Sequence, residues 1–208
     1  WNVGRIIEHL KKSDLLEKTI VIYLSDNGPN GNRWNGNMKG RKGSTDEGGV
    51  RSPMIINWPG EIPEGKIVNQ IASGIDLLPT LKDLTGIKSQ PKKPMDGISL
   101  QPLIMEKKPS WENRNIYNYW RGKLSLRSQN YRLDYQGQLF DMINDPGQTT
   151  DISIDRPQVL KELLEAKEQW KKTVLAELPN KDKRPFYIGH TSLQTTQIPA
   201  RDGLPHGE

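Results

Sequence analysis

An α/β fold is predicted for this chain of 208 residues, on three observations. Thr19 to Leu24 is an unbroken apolar and β-branched run. Such a run suits a strand buried on both faces of a parallel sheet better than a half-exposed antiparallel one. Val3, Ile6, Ile7 and Leu10 precede it at i, i+3, i+4 and i+7, the stripe of an amphipathic helix facing a core. From Ile116 onward, closely spaced strand-like segments are followed by one long helical stripe, which predicts a smaller antiparallel unit.

The elements follow in order. Ser13-Asp14 breaks the first helix, and helix, connector and strand form half of a βαβ unit. His9, beside the apolar stripe, has no partner near it in sequence and reads as a solvated helix residue. Pro29 to Gly36 is rich in Gly and Asn, which tolerate left-handed backbone. Met54-Ile55-Ile56 is the next strand, with Pro53 tolerable at its start, and Trp58-Pro59-Gly60 turns the chain. Val68, Ile71 and Ala72 suggest a short apolar element. Leu77, Leu78, Leu81 and Leu84 give a helix capped by Asp76 and ended by Gly86. Capping, not metal binding, is the role expected of Asp76.

Lys88 to Pro94 reads as a surface linker and Asp96 to Leu103 as a return segment. Ile116 to Trp120, Lys123 to Arg127, Tyr131 to Tyr135 and Gln138 to Asp141 are the four predicted strands. Leu160, Leu163, Leu164, Lys167, Trp170 and Val174 then mark a helix that follows Arg156-Pro157. Residues from Pro179 on are polar and Pro-rich, and an extended tail is expected there. The chain therefore divides into 1–105, 106–178 and 179–208.

Composition excludes several classes. Net charge is +5, yet the 30 basic and 25 acidic residues are interleaved. The densest basic clusters, Lys88 to Lys93 and Lys181 to Arg184, are Pro-containing connectors. No basic stripe of the kind that nucleic acid requires is present, and no nucleic-acid partner is expected. No apolar run reaches the length of a membrane span. The sequence has no cysteine, which rules out disulfides, thiol catalysis and a Cys-based zinc site within these residues. Trp1 already falls inside the first predicted helix, and the chain is expected to be a fragment.

The chemistry concentrates between Ser25 and Arg51. Asp26 and Asn27 set a carboxylate beside an amide oxygen at the C-terminal end of the predicted strand, where open α/β sheets bind ligands. Two adjacent hard-oxygen donors suit Ca²⁺ or Mg²⁺ better than zinc. Lys42 follows between Gly40 and Gly43, and then Glu47-Gly48-Gly49-Val50-Arg51. Glu47 and Arg51 span a tight turn and are assigned to holding the loop. Trp34 in its polar loop could stack on a sugar or aryl ring, or cap the edge of the core. Taken singly, Asp26-Asn27-Gly28 could be a plain turn and Lys42 a surface cation.

SDNG at 25–28, GRKGSTDEGGVRSP at 40–53 and NWPG at 57–60 resemble the C-terminal half of the catalytic domain of type I sulfatases. These are the arylsulfatase-like, formylglycine-dependent branch of the alkaline-phosphatase-like superfamily. The resemblance continues through Asp76 to Leu81, Asp96 to Leu100 and Leu139 to Pro146, and departs at Arg41 and Asp46. It implies that residues 1–105 complete the catalytic α/β sheet with its flanking helices, and that 106–178 form a small antiparallel sheet with a helix.

The resemblance also implies roles. Asp26 and Asn27 would belong to a Ca²⁺ site. Lys42 would be the catalytic and substrate-binding cation on the sulfate and leaving-group oxygens, while Lys39 would point to solvent. Trp34 is the candidate for contact with the rest of the substrate, a sulfated small molecule or carbohydrate. Hydrolysis of a sulfate ester must stabilise negative charge, which a divalent cation and a lysine both do. In the family a formylglycine hydrate attacks sulfur, and it is made from a Cys or Ser followed by x-Pro-x-Arg. No such motif exists in these residues. The chain is thus expected to carry an incomplete Ca²⁺ site, to be inactive alone, and to come from a periplasmic or secreted enzyme. A phosphatase or phosphonate hydrolase of the same superfamily is one alternative, although His9, His190 and His206 all lie outside the site stretch. A non-catalytic carbohydrate-binding module is the other.

Overall fold

The structure is a computed structural model. It describes residues 1–88, 91–106 and 110–177, together with the backbone of 185–188 and 196–199. The helix predicted at the start is α1, Asn2–Lys12. Its apolar stripe is not covered: Val3 and Ile6 remain exposed. The expected burial against a core is therefore not found among the described residues.

Strand β1, Val21–Leu24, pairs with β2, Met54–Asn57. The pairing is antiparallel, with Leu24 opposite Met54 and Val21 opposite Asn57. This corrects the expectation of a parallel, doubly buried strand, since Tyr23 and Leu24 are exposed. The reason lies in the connection. A parallel neighbour needs a crossover to the far end of the sheet, whereas residues 25–53 fold at one end and deliver Met54 directly beside Leu24.

Within that connection stands the single helical turn α2, Glu47–Val50. Beyond β2, no regular element forms at 66–73, where a short apolar one was expected. Helix α3, Leu77–Thr85, ends at Gly86 with φ 67°, the left-handed conformation that glycine adopts without a Cβ penalty. Asp76 stands at the N-cap position of α3 but makes no side-chain cap hydrogen bond to that helix, contrary to expectation. Its Oδ2 instead accepts the Ser73 N–H at 2.7 Å, in the reciprocal capping box of the short 3-10 turn Gly74–Asp76 that leads into α3. Asp76 is also wholly buried and takes both guanidinium nitrogens of Arg114, at 2.8 and 2.9 Å. Helix α4, Gln101–Met105, buries Leu103 and Ile104 beside Leu100, and Met54 and Ile56 of β2 pack on this cluster.

The four predicted antiparallel strands are present. They are β3 (Ile116–Trp120), β4 (Lys123–Arg127), β5 (Tyr131–Leu133) and β6 (Leu139–Asp141), joined in sequence order. Helix α5, Pro157–Val174, lies on one face of this sheet. Leu126, Leu133, Leu139 and Leu163 form the core between them, and Trp170 stacks on Tyr117 at 5.2 Å. Lys167, on the same stripe, is buried and donates to the Asp134 carbonyl at 2.9 Å. Burial pushes its ammonium below the usual lysine value, with Lys171 adding a smaller push. In the expected tail, β7 (Pro185–Ile188) and β8 (Thr196–Pro199) pair antiparallel. The rest of the tail, with the linker positions 89 and 90, lies outside the described residues.

Candidate functional site at the end of the first strand

β1 hands over to Ser25, Asp26 and Asn27, and hydroxyls fix this exit. Ser25 Oγ donates to the Asn27 carbonyl at 3.1 Å, and Ser52 Oγ donates to the Ser25 carbonyl at 2.8 Å. The Gly28 N–H donates to the Gly49 carbonyl at 2.9 Å. A Cβ on Gly28 would fall on the Gly48 carbonyl oxygen, so the strand exit and α2 touch through bare backbone.

The glycine loop is then laid over both. A Cβ on Gly48 would stand 2.5 Å from the Gly40 carbonyl oxygen and 2.8 Å from that of Lys39. The Lys42 N–H donates to the Pro29 carbonyl at 2.9 Å, which ties that lysine to the segment leaving Asn27. The spacing S-D-N-G, G-x-K-G, E-G-G is therefore a packing code: three backbone segments meet where no side chain fits.

Asp26 and Asn27 both line an open cleft of ≈ 960 Å³, together with Arg51, Asn118 and Arg127. Asp26 is exposed and Asn27 half-buried. Lys42 is exposed and adjoins through the Pro29 hydrogen bond, outside the lining of the cleft. Trp34 also lies off the cleft. It is 78% exposed, which rules out a role in capping the core, and the Arg33 guanidinium sits 4.9 Å from its ring centre.

The small sheet holds this loop from beneath. Arg132, 1% exposed, donates from Nη2 and Nε to Glu47 Oε2 at 2.7 and 3.2 Å. Its Nη1 donates to the Thr45 carbonyl at 2.8 Å, and Ser125 Oγ donates to the same carbonyl at 2.6 Å. Gln148 Oε1 accepts the Glu47 N–H at 2.8 Å. Arg127 and Arg51 stand 3.4 and 3.7 Å from the Glu47 carboxylate. Burial pushes the Arg127 guanidinium below its ordinary value, and Glu47 partly offsets this. One carboxylate thus faces three guanidinium groups, leaving local positive charge at the cleft.

Lys39 does not point to solvent, contrary to the expectation from sequence. Its Nζ lies 3.1 Å from Oδ2 of Asp134, whose side chain is fully buried, and 4.8 Å from the centre of the Phe140 ring. Asp46 Oδ1, buried without a hydrogen bond, is 4.0 Å from the same ammonium. Arg132, Asp134, Ser125 and Gln148 were not singled out from sequence. A signal existed: in Tyr131-Arg132-Leu133-Asp134, alternation puts Arg132 and Asp134 on the face opposite the core residue Leu133.

Among the described residues, no group of three or more His, Cys, Asp or Glu is gathered to hold a metal ion. Asp26 and Asn27 offer two oxygen donors of the six to eight that Ca²⁺ takes. They fit a hard cation as part of a shell. His9, the one histidine among the described residues, is exposed on α1. No helix of the described residues is long and apolar enough to cross a membrane.

Residues 1–87 match the sulfatase family model. The chain is 34% identical over 135 residues to steryl-sulfatase of Rattus norvegicus, covering 60% of this chain and 23% of that protein. It is 30% identical over 204 residues to arylsulfatase A of Bos taurus, covering 80% and 40%. A crystal structure of Ps i-CgsB in complex with k-i-k-neocarrahexaose aligns with a TM-score of 0.67 at 29% identity, over 81% of this chain and 40% of that one. The chain thus spans less than half the length of each of these proteins. With the family model matched at the very stretch that builds the site, and similar sulfatases aligned well beyond it, the chain belongs to the sulfatase family.

Proposed function

We propose that this chain supplies one wall of a site that hydrolyses sulfate esters. The observation that carries the reading is the convergence of three backbone segments on the end of β1. Gly28 is bonded to Gly49 and Lys42 to Pro29, so Asp26, Asn27 and Lys42 are held on a common frame. Asp26 and Asn27 would hold Ca²⁺, and the cation when bound would neutralise sulfate oxygens. Lys42 would place its ammonium against the sulfate and the departing oxygen. A cation within about 4 Å of an anionic oxygen in a partly screened site interacts by roughly 4 kcal/mol before desolvation is subtracted. The guanidinium groups of Arg51 and Arg127 along the cleft favour an anionic substrate in the same direction.

These residues bind and orient; the group that attacks sulfur would come from outside the 208 residues, which contain no Cys or Ser followed by x-Pro-x-Arg. The substrate class proposed is a sulfated carbohydrate or small aryl or steryl ester, in line with the steryl-sulfatase, the arylsulfatase A and the hexaose complex among similar proteins. Titrating the purified chain with Ca²⁺ by calorimetry tests the division of labour. Binding weaker than about millimolar, the limit of the weakest protein Ca²⁺ modules, is the expected result. One tight site would mean that the full donor set lies within these residues and that the assignment to Asp26 and Asn27 is incomplete.

A further inference from the structure

The β3–β4 hairpin turns through Arg121 and Gly122, both at positive φ (48° and 79°), as a two-residue turn of the primed type requires. Its register sets Trp120 opposite Lys123 and Asn118 opposite Ser125. Tyr117 and Tyr119 face α5, where both meet Trp170 at 5.2 and 6.4 Å. Alternation then directs Asn118 and Trp120 to the other face, that of Ser125, whose hydroxyl holds the Thr45 carbonyl. Asn118 lines the cleft that also takes Asp26 and Asn27. Trp120 stands two residues further out and is 49% exposed.

At this tip each aromatic ring is accompanied by a cation. The Arg121 guanidinium is 5.5 Å from the Trp120 ring centre, and Lys123 Nζ is 4.8 Å from that of the half-exposed Tyr135. We propose that the hairpin tip is a distal binding site for a sulfated oligosaccharide that enters the cleft past Asn118. The proposal rests on the sulfate-ester reading above and names the substrate as a chain, not a single sulfated ring. The chemistry is complementary on two counts. Sugar faces pack on exposed aromatic rings, which bring large rigid area with a polar edge. Sulfate groups along the chain pair with guanidinium and ammonium donors by charge-assisted hydrogen bonds. Asn118 to Trp120 is roughly 6–7 Å along the strand, so the tip meets a sugar unit beyond the one held in the cleft.

The test uses the complete enzyme that contains this chain, with Trp120→Ala, Trp120→Phe and Lys123→Glu. For each, kcat/KM is measured on a multiply sulfated galactan hexasaccharide and on a chromogenic aryl sulfate. The ratio of the two should fall about tenfold in Trp120→Ala and Lys123→Glu, through a higher KM for the hexasaccharide. Trp120→Phe, which keeps a ring, should recover most of the ratio. Removing the non-scissile sulfates should erase the effect of Lys123→Glu. An unchanged ratio in both Trp120→Ala and Lys123→Glu, or equal losses with and without those sulfates, overturns the distal site while leaving the sulfatase reading intact. Failure of the unmodified enzyme to cleave either ester overturns that reading, and this proposal with it.

Discussion

Arg132 and Glu47, separated by 85 positions in sequence, meet through two hydrogen bonds from one guanidinium to a single carboxylate oxygen, at 2.7 and 3.2 Å. Both side chains are almost completely buried. The pair fastens the small antiparallel sheet to α2, and so to the glycine loop that presents Lys42. Removing one member of a buried pair leaves an uncompensated charge and costs about 3–5 kcal/mol. Arg132→Met should therefore lower the unfolding free energy by about 3–5 kcal/mol, read from urea denaturation curves as a fall in the midpoint. It should also loosen the loop, seen as faster amide exchange at Lys42, whose N–H is held by Pro29. A variant of normal stability would mean that Arg127 and Arg51 alone satisfy Glu47.

Backbone contact at the glycines gives a second expectation. Gly48→Ala would drive a methyl group against the carbonyl oxygens of Gly40, Lys39 and Met38, and overpacking of this kind costs about 1–3 kcal/mol. Gly31→Ala is the control, because a Cβ there meets nothing within 4 Å and its φ is not positive. It should stay within about 0.5 kcal/mol of the parent. Denaturant curves for the two variants check this, and similar costs for both would undo the packing code.

Lys167 supplies a pH dependence with a definite sign. Burial holds its native pKa below the ordinary 10.5. Between that lowered value and 10.5, the unfolded chain binds a proton that the native protein has released. Stability then rises with pH across that window, because the unfolded state carries more protons. The hydrogen bond to the Asp134 carbonyl serves the neutral amine as well as the ammonium. Lys167→Met should abolish the rise, so the stability difference between parent and variant shifts in favour of the parent as pH climbs toward 10.5. Parallel stability curves would show that the lysine is solvated in the native state.

Local elements were legible because local rules decide them. The four strands of the small sheet follow their turn residues, α5 follows Pro157 and its leucine stripe, and α3 stops at Gly86 because that residue must turn left-handed. The family was legible from the ordered glycine and acid series. What failed were long-range relationships. An apolar run such as Thr19 to Leu24 reports a strand, but neither its burial nor the sense of its partner, which the geometry of the 25–53 connection decides. The stripe of α1 reports a face, not what covers it. Lys39 looks like any loop lysine until a residue 95 positions away, Asp134, is folded beneath it. The buried network of Arg132, Glu47, Ser125 and Gln148 is likewise a property of two units docked together.

The two lysines of the glycine loop now have different physical roles, and the most direct measurement compares them in the complete enzyme. Lys42 is exposed beside the exit of β1, and Lys39 is spent on Asp134. Lys42→Ala should lower turnover of an aryl sulfate by about 10²–10³, the usual cost of one group that stabilises developing charge, with no change in melting temperature. Lys39→Met should instead lower the melting temperature, since it leaves the buried Asp134 carboxylate without its cation. Near-normal turnover in Lys42→Ala would contradict the account, because the loop that this whole arrangement holds in place would then carry no catalytic cation.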